Sequence, residues 1–134
     1  MAGRPTAPRP LSPHLSIWKW KVHMLVSILH RATGQAMALG GVVLFLWWLI
    51  AAATGPEAYA FFMIVATSWL GLLVGIGLTW VFFQHMMTGI RHLVMDTGQA
   101  FDIETSRTFA LMTMVASVLL TATVWAYILL GKGY

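Results

Sequence analysis

The chain contains no cysteine, which excludes disulfides, iron-sulfur clusters and thiolate zinc sites built by this chain alone. Charge is also scarce. Only 9% of the 134 residues are Asp, Glu, Lys or Arg, against 59% hydrophobic residues, and a soluble domain of that composition would have too little polar surface to cover itself. Acidic residues are rarest, four against eight Lys and Arg. The basic residues sit beside apolar runs and not in a polar groove, so membrane topology accounts for the excess and nucleic acid is not an expected partner. None of the five prolines lies inside an apolar run and no inverted repeat is present, which disfavours a transporter built on broken helices. No nucleophile-base pair, phosphate loop or carboxylate pair points to a hydrolase or a kinase.

What is present is three long uncharged stretches. Twenty-five residues separate Arg31 from Glu57, a second stretch runs from Ala58 to Ile90 with only Gln84 and His85 near its end, and a third runs from Thr108 to Gly131. About twenty residues at ~1.5 Å each cross a ~30 Å hydrocarbon core. The expectation is an all-α membrane protein with three transmembrane helices, approximately 24–53, 58–92 and 106–130, preceded by an irregular arm over 1–23, in one domain covering 1–134. Arg4, Arg9, Lys19, Lys21 and Arg31 precede the first span, Arg91 and Arg107 flank the second loop, and the first loop carries only Glu57. Positive charge therefore places the N-terminal arm and the second loop in the cytoplasm. The first fifteen residues hold four prolines and no apolar h-region, which reads as mature sequence and favours a bacterial inner membrane over a mitochondrial one. Trp18 and Trp20 are expected at the inner interface, and Trp47, Trp48, Tyr59, Trp125 and Tyr127 towards the outer one. Gly71 and Gly75 form a small-residue pair suited to close helix approach, as do Gly34, Ala38 and Gly41.

Two clusters carry chemistry. His85, Gly89, His92 and Asp96 share one helix face, and ionisable groups within a span are costly enough to mark function. A neutral imidazole this deep suits a haem iron, with Gly89 leaving room for a large flat group and with Arg91 and His92 at the water side for the propionates. His85 and His92 are ~10.5 Å apart along the axis, too far to be the two ligands of one iron, whose nitrogens lie ~2 Å from the metal. His30 is a further candidate, but Arg31 beside it suggests a position nearer the surface than His85. The second ligand is therefore expected from another subunit. The competing readings are a His85 that hydrogen-bonds a neighbouring helix, and snorkelling for Arg91 and His92. Ser27, His30 and Arg31 also share a face; a hydroxyl and a guanidinium there suit a quinone carbonyl and the negative charge that develops on it. The alternative is a positive-inside anchor with a helix-facing serine.

Two blocks carry a family resemblance: Arg9-Pro10-Leu11 followed by Ser27-Ile28-Leu29-His30-Arg31-Ala32-Thr33, and His85-Met86-Met87-Thr88-Gly89-Ile90-Arg91-His92-Leu93-Val94-Met95-Asp96-Thr97-Gly98. In these blocks and in its three-helix layout the chain resembles the cytochrome b membrane-anchor subunits of succinate dehydrogenase, the succinate to ubiquinone oxidoreductase. The resemblance implies that His85 is one axial ligand of a haem b shared with a second small anchor subunit. It implies that Ser27 and Arg31 contribute to a ubiquinone site, and that His30, Arg91 and His92 surround the haem propionates. It further implies an iron-sulfur subunit and a flavoprotein subunit as partners, with this chain non-catalytic by itself. A fumarate reductase anchor and a haem-free structural anchor remain the alternatives.

Overall fold

A computed structural model describes residues 14–131. Arg4, Arg9 and the block Arg9-Pro10-Leu11 lie outside the described residues. From His14 the chain makes one 3-10 turn, Leu15–Ile17, in which the His14 ring accepts from the Ser16 N–H at 3.2 Å. It then runs extended to Lys21. Helix α1 follows (Val22–Thr54), then α2 (Pro56–Thr67), α3 (Trp69–Asp96) and α4 (Ile103–Gly131).

Three of these helices, α1, α3 and α4, are long and apolar enough to cross a membrane. The 33, 28 and 29 residues they contain correspond to ~50, ~42 and ~44 Å at 1.5 Å per residue, so each overshoots the ~30 Å hydrocarbon core and carries its charged end beyond it. The burial pattern is that of a chain folded in lipid. Among the described residues, Val26, Ala51 and Ala110 are the only buried apolar residues, whereas Thr33, Gln84, Thr88, Arg91, Thr113, Ser117 and Thr121 are buried polar ones. Apolar side chains need no burial where the solvent is hydrocarbon, and polar groups must find partners inside the bundle.

The second span departs from expectation. One continuous helix over 58–92 was expected, but the chain breaks at Ser68, whose backbone is extended (φ −64, ψ 159). The Ser68 hydroxyl donates to the Val65 carbonyl at 2.6 Å and accepts from the Gly71 N–H at 3.1 Å, ending α2 and capping α3 with one side chain. With twelve residues, α2 is ~18 Å long, too short to span. It starts after Gly55, whose φ of 135° closes α1, with Pro56 in its first turn. Gly71 is required by the break: a Cβ there would fall 2.2 Å from the Val65 carbonyl oxygen and 2.5 Å from that of Ala66. Of the expected small-residue pair, only Gly75 faces another span, against the Trp125 ring of α4. Trp125 itself turns into the bundle, donating from its indole N–H to Thr79 Oγ1 at 3.2 Å.

Helix α1 contains a π-helical stretch at Met37–Gly41, a wider turn of the kind found where a helix must re-aim one face. Helix α3 is the centre of the bundle, packing on α4 along one side and on α1 along the other. The turn between α3 and α4 uses positive φ at Gly98 and Ala100. Asp102 then caps α4, accepting from both the N–H and the hydroxyl of Thr105 at 3.2 Å.

Candidate functional site

The α1–α3 contact gathers three of the histidines. Residue 30 on α1 and residue 85 on α3 come level, so the expectation that His30 lies nearer the surface is corrected. Their rings stack with centroids 4.0 Å apart and planes 10° from parallel. The physical reason is that α1 begins at Val22 and α3 runs on to Asp96, so Arg31 and Arg91 lie within the helices and do not mark where the membrane ends. His92, two stripe positions below His85, meets His30 edge-on with centroids 5.2 Å apart.

The hydrogen bonds of His85 define its chemistry. Its Nδ1 lies 3.0 Å from the His30 carbonyl oxygen and 3.4 Å from Thr33 Oγ1. A carbonyl can only accept, so Nδ1 carries a proton, and in the neutral ring Nε2 keeps its lone pair. Nε2 has no hydrogen-bond partner among the described residues. A neutral imidazole with Nδ1–H on a backbone carbonyl and a free Nε2 is the form in which histidine binds metal. His30 Nδ1 is buried and without a hydrogen-bond partner among the described residues. Gly89 faces open space, with nothing within 4 Å of a Cβ placed there. A free ring nitrogen, an orphaned polar atom and an open flank together fit a flat, apolar, nitrogen-liganded group such as haem. The glycine that touches the His85 ring is Gly34 of α1, a residue that sequence pattern alone places only in helix packing.

Arg91 is not brought into this cluster. At 100° per residue it points ~120° away from His85 around α3, and it is 6% exposed, with Nη2 donating to Ser106 Oγ of α4 at 2.8 Å. The structure therefore does not bring Arg91 together with His92, its expected companion at the propionates. Arg91 Nε is buried with no hydrogen-bond partner. Ser27, half-buried, lies one turn from His30 towards the basic N-terminal end of α1, and Arg31, exposed, is the next residue in the opposite direction.

The α3–α4 seam is a second polar region that sequence reasoning missed. Gln84, Thr88 and Ser117 are wholly buried. Ser117 Oγ donates to Gln84 Oε1 at 2.7 Å, and Gln84 Nε2 donates to Thr88 Oγ1 at 3.1 Å. The signal was available: Thr113, Ser117 and Thr121 recur at four-residue spacing in an apolar helix, which puts small hydroxyls on one face for a neighbouring helix.

The chain is similar to known membrane-anchor subunits. The family model described as succinate dehydrogenase/fumarate reductase transmembrane subunit matches residues 5–124. The succinate dehydrogenase cytochrome b556 subunit of Paracoccus denitrificans is 39% identical over 112 residues, 84% of this chain and 85% of that subunit. That of Rickettsia felis is 35% identical over 117 residues, 87% of this chain and 90% of the relative. A mitochondrial cytochrome b560 subunit of succinate dehydrogenase from Mus musculus is 39% identical over 99 residues, 71% of this chain and 57% of the relative.

Proposed function

The chain belongs to the succinate dehydrogenase/fumarate reductase transmembrane subunits, a family of multi-pass membrane proteins, and from that premise we propose that it is the haem b-bearing anchor of a succinate dehydrogenase. In this reading it helps to pass electrons from succinate to ubiquinone in the tricarboxylic acid cycle and the respiratory chain. The complex resides in a bacterial inner membrane, with the basic ends of the helices cytoplasmic. The single observation that carries the reading is the state of His85: Nδ1 engaged on the His30 carbonyl, Nε2 free.

Haem b, when bound, supplies a one-electron redox centre. His85 would hold the haem through Nε2, and His30 and His92 beside it would supply polar groups for the propionates. His92 is too far along the helix to share one metal with His85, so a second ligand would be supplied by a second small anchor subunit. Oxidation of succinate to fumarate at the flavoprotein subunit releases two electrons and two protons. The electrons travel through the iron-sulfur subunit, and ubiquinone takes up two electrons and two protons to become ubiquinol. Ser27 donates its hydroxyl to a quinone carbonyl, and Arg31 stabilises the negative charge that accumulates on that oxygen before protonation. This chain orients the quinone and anchors the soluble pair without carrying out succinate oxidation itself.

Purification of the complex from membranes through a tag on this chain tests the reading. The expected result is a flavoprotein, an iron-sulfur protein and a second small anchor, with a b-type spectrum reducible by succinate. Ser27→Ala and Arg31→Leu are expected to raise the KM for ubiquinone while succinate oxidation with an artificial acceptor stays unchanged. Unaltered quinone kinetics in both variants would contradict the quinone assignment.

A further inference from the structure

The His85 ring is held on several sides by a short stretch of α1. One face lies against the His30 ring at 4.0 Å. Its Nδ1 approaches two oxygens, the His30 carbonyl at 3.0 Å and Thr33 Oγ1 at 3.4 Å. Its Cε1–Nδ1 edge passes over Gly34, where a Cβ would fall 2.9 Å from Cε1 and 3.3 Å from Nδ1. Real Cβ contacts are not made at 2.9 Å, and the ring cannot yield without lengthening its bond to the His30 carbonyl.

Thr33 acts on the tautomer. It is 3% exposed, and its hydroxyl proton is already engaged, with Oγ1 donating to the Leu29 carbonyl at 2.7 Å and lying 3.1 Å from that of His30. A hydroxyl whose only proton points at a carbonyl offers the next donor a lone pair. Both oxygens facing Nδ1 are therefore acceptors. A ring with its proton on Nε2 would set an unprotonated Nδ1 against two oxygens with no hydrogen between them. The local arrangement thus selects one tautomer and one ring angle, and it does so from residues 30–34 of another helix.

We propose that Thr33 and Gly34 are positioning residues for the haem ligand, Thr33 by completing an acceptor pair for His85 Nδ1–H and Gly34 by giving the imidazole edge room against α1. The inference rests on the reading of His85 as an axial ligand. Outer partners of a metal-bound histidine set its orientation and raise its basicity, and a more basic ligand favours the higher oxidation state of the metal. Removing one acceptor weakens that donation and shifts the haem midpoint potential in the positive direction. Displacing the ring changes the angle of the imidazole plane over the iron.

The test uses the whole complex, with Thr33→Val, Thr33→Ser, Gly34→Ala and His85→Ala compared by haem content per flavin, redox titration and the low-spin ferric haem electron paramagnetic resonance signal. Thr33→Val is expected to keep haem and move its midpoint potential positive, with Thr33→Ser restoring the wild-type value. Gly34→Ala is expected to shift the resonance signature and weaken haem retention about tenfold or more. Should Gly34→Ala prevent assembly, the Val and Ser pair at Thr33 still decides. If Thr33→Val leaves potential and resonance signature at wild-type values while His85→Ala loses haem, the positioning inference is overturned and the ligand assignment stands. If His85→Ala keeps the wild-type haem signals, the ligand assignment itself fails and the inference fails with it.

Discussion

The two faces of α3 are both polar, and they differ in whether the chain satisfies them. On the α4 side Gln84, Thr88 and Ser117 are fully buried and bonded to one another, with Thr88 and Ser117 also bonded to backbone carbonyls at 2.8 Å. On the α1 side His85 is half-buried, its Nε2 has no partner among the described residues, and His30 Nδ1 is buried and unpartnered. In lipid an unpaired polar group costs several kcal/mol, so the Gln84–Thr88–Ser117 cluster is complete as it stands, Arg91 Nε further along that face is left without a partner among the described residues, and the α1 side is suited to another molecule. A histidine that only bridged helices would be explained by its Nδ1 bond. That bridge is present, and it accounts for one ring nitrogen of the two.

The largest perturbation is expected where both faces depend on one feature. The break at Ser68 sets the direction of α3, and Gly71→Ala places a methyl group against the Val65 and Ala66 carbonyls. Overpacking of this kind costs about 1–3 kcal/mol, so thermal unfolding of the purified complex should occur at lower temperature, with reduced haem content. Gln84→Leu should act on the seam alone. It removes the interhelical bond to Ser117, worth about 0.6–1.7 kcal/mol in membrane bundles, and Ser117 still donates to the Met114 carbonyl. Stability should fall modestly and the haem spectrum should not change; a spectral change would erase the distinction between the faces.

The smallest effect is expected at the start of α4, outside both faces. The backbone N–H and hydroxyl of Thr105 hold the Asp102 carboxyl below the usual carboxylate range. A carboxyl with a lowered folded pKa contributes stability that is present above its unfolded value, near 3.9, and is lost as pH falls through the lowered one. Amide exchange in the first turn of α4 should therefore speed up only on strong acidification. Asp102→Asn, which retains the cap but cannot ionise, should flatten that dependence.

The three spans were legible because charge is absent between Arg31 and Glu57, from Ala58 to Ile90 and from Thr108 to Gly131. The break at Ser68 was not, since it lies within an uncharged run and depends on one hydroxyl bonding in both directions. The stripe of His85 and His92 followed from helical spacing. The level of His30 did not, because Arg31 drew attention to the membrane boundary although α1 extends beyond it. The turn of Arg91 towards α4 was implicit in its 100° offset from His92. Gly34 became visible only with both helices in place, since its partner lies fifty-one residues along the chain.

The most direct test of the difference between the two faces is a reduced-minus-oxidised absorbance spectrum of complexes purified in parallel with His85→Ala and with Gln84→Leu. The account predicts loss of the b-type signal in the first and a wild-type signal in the second. Retention of that signal by His85→Ala, or its loss from Gln84→Leu with the complex intact, would contradict it.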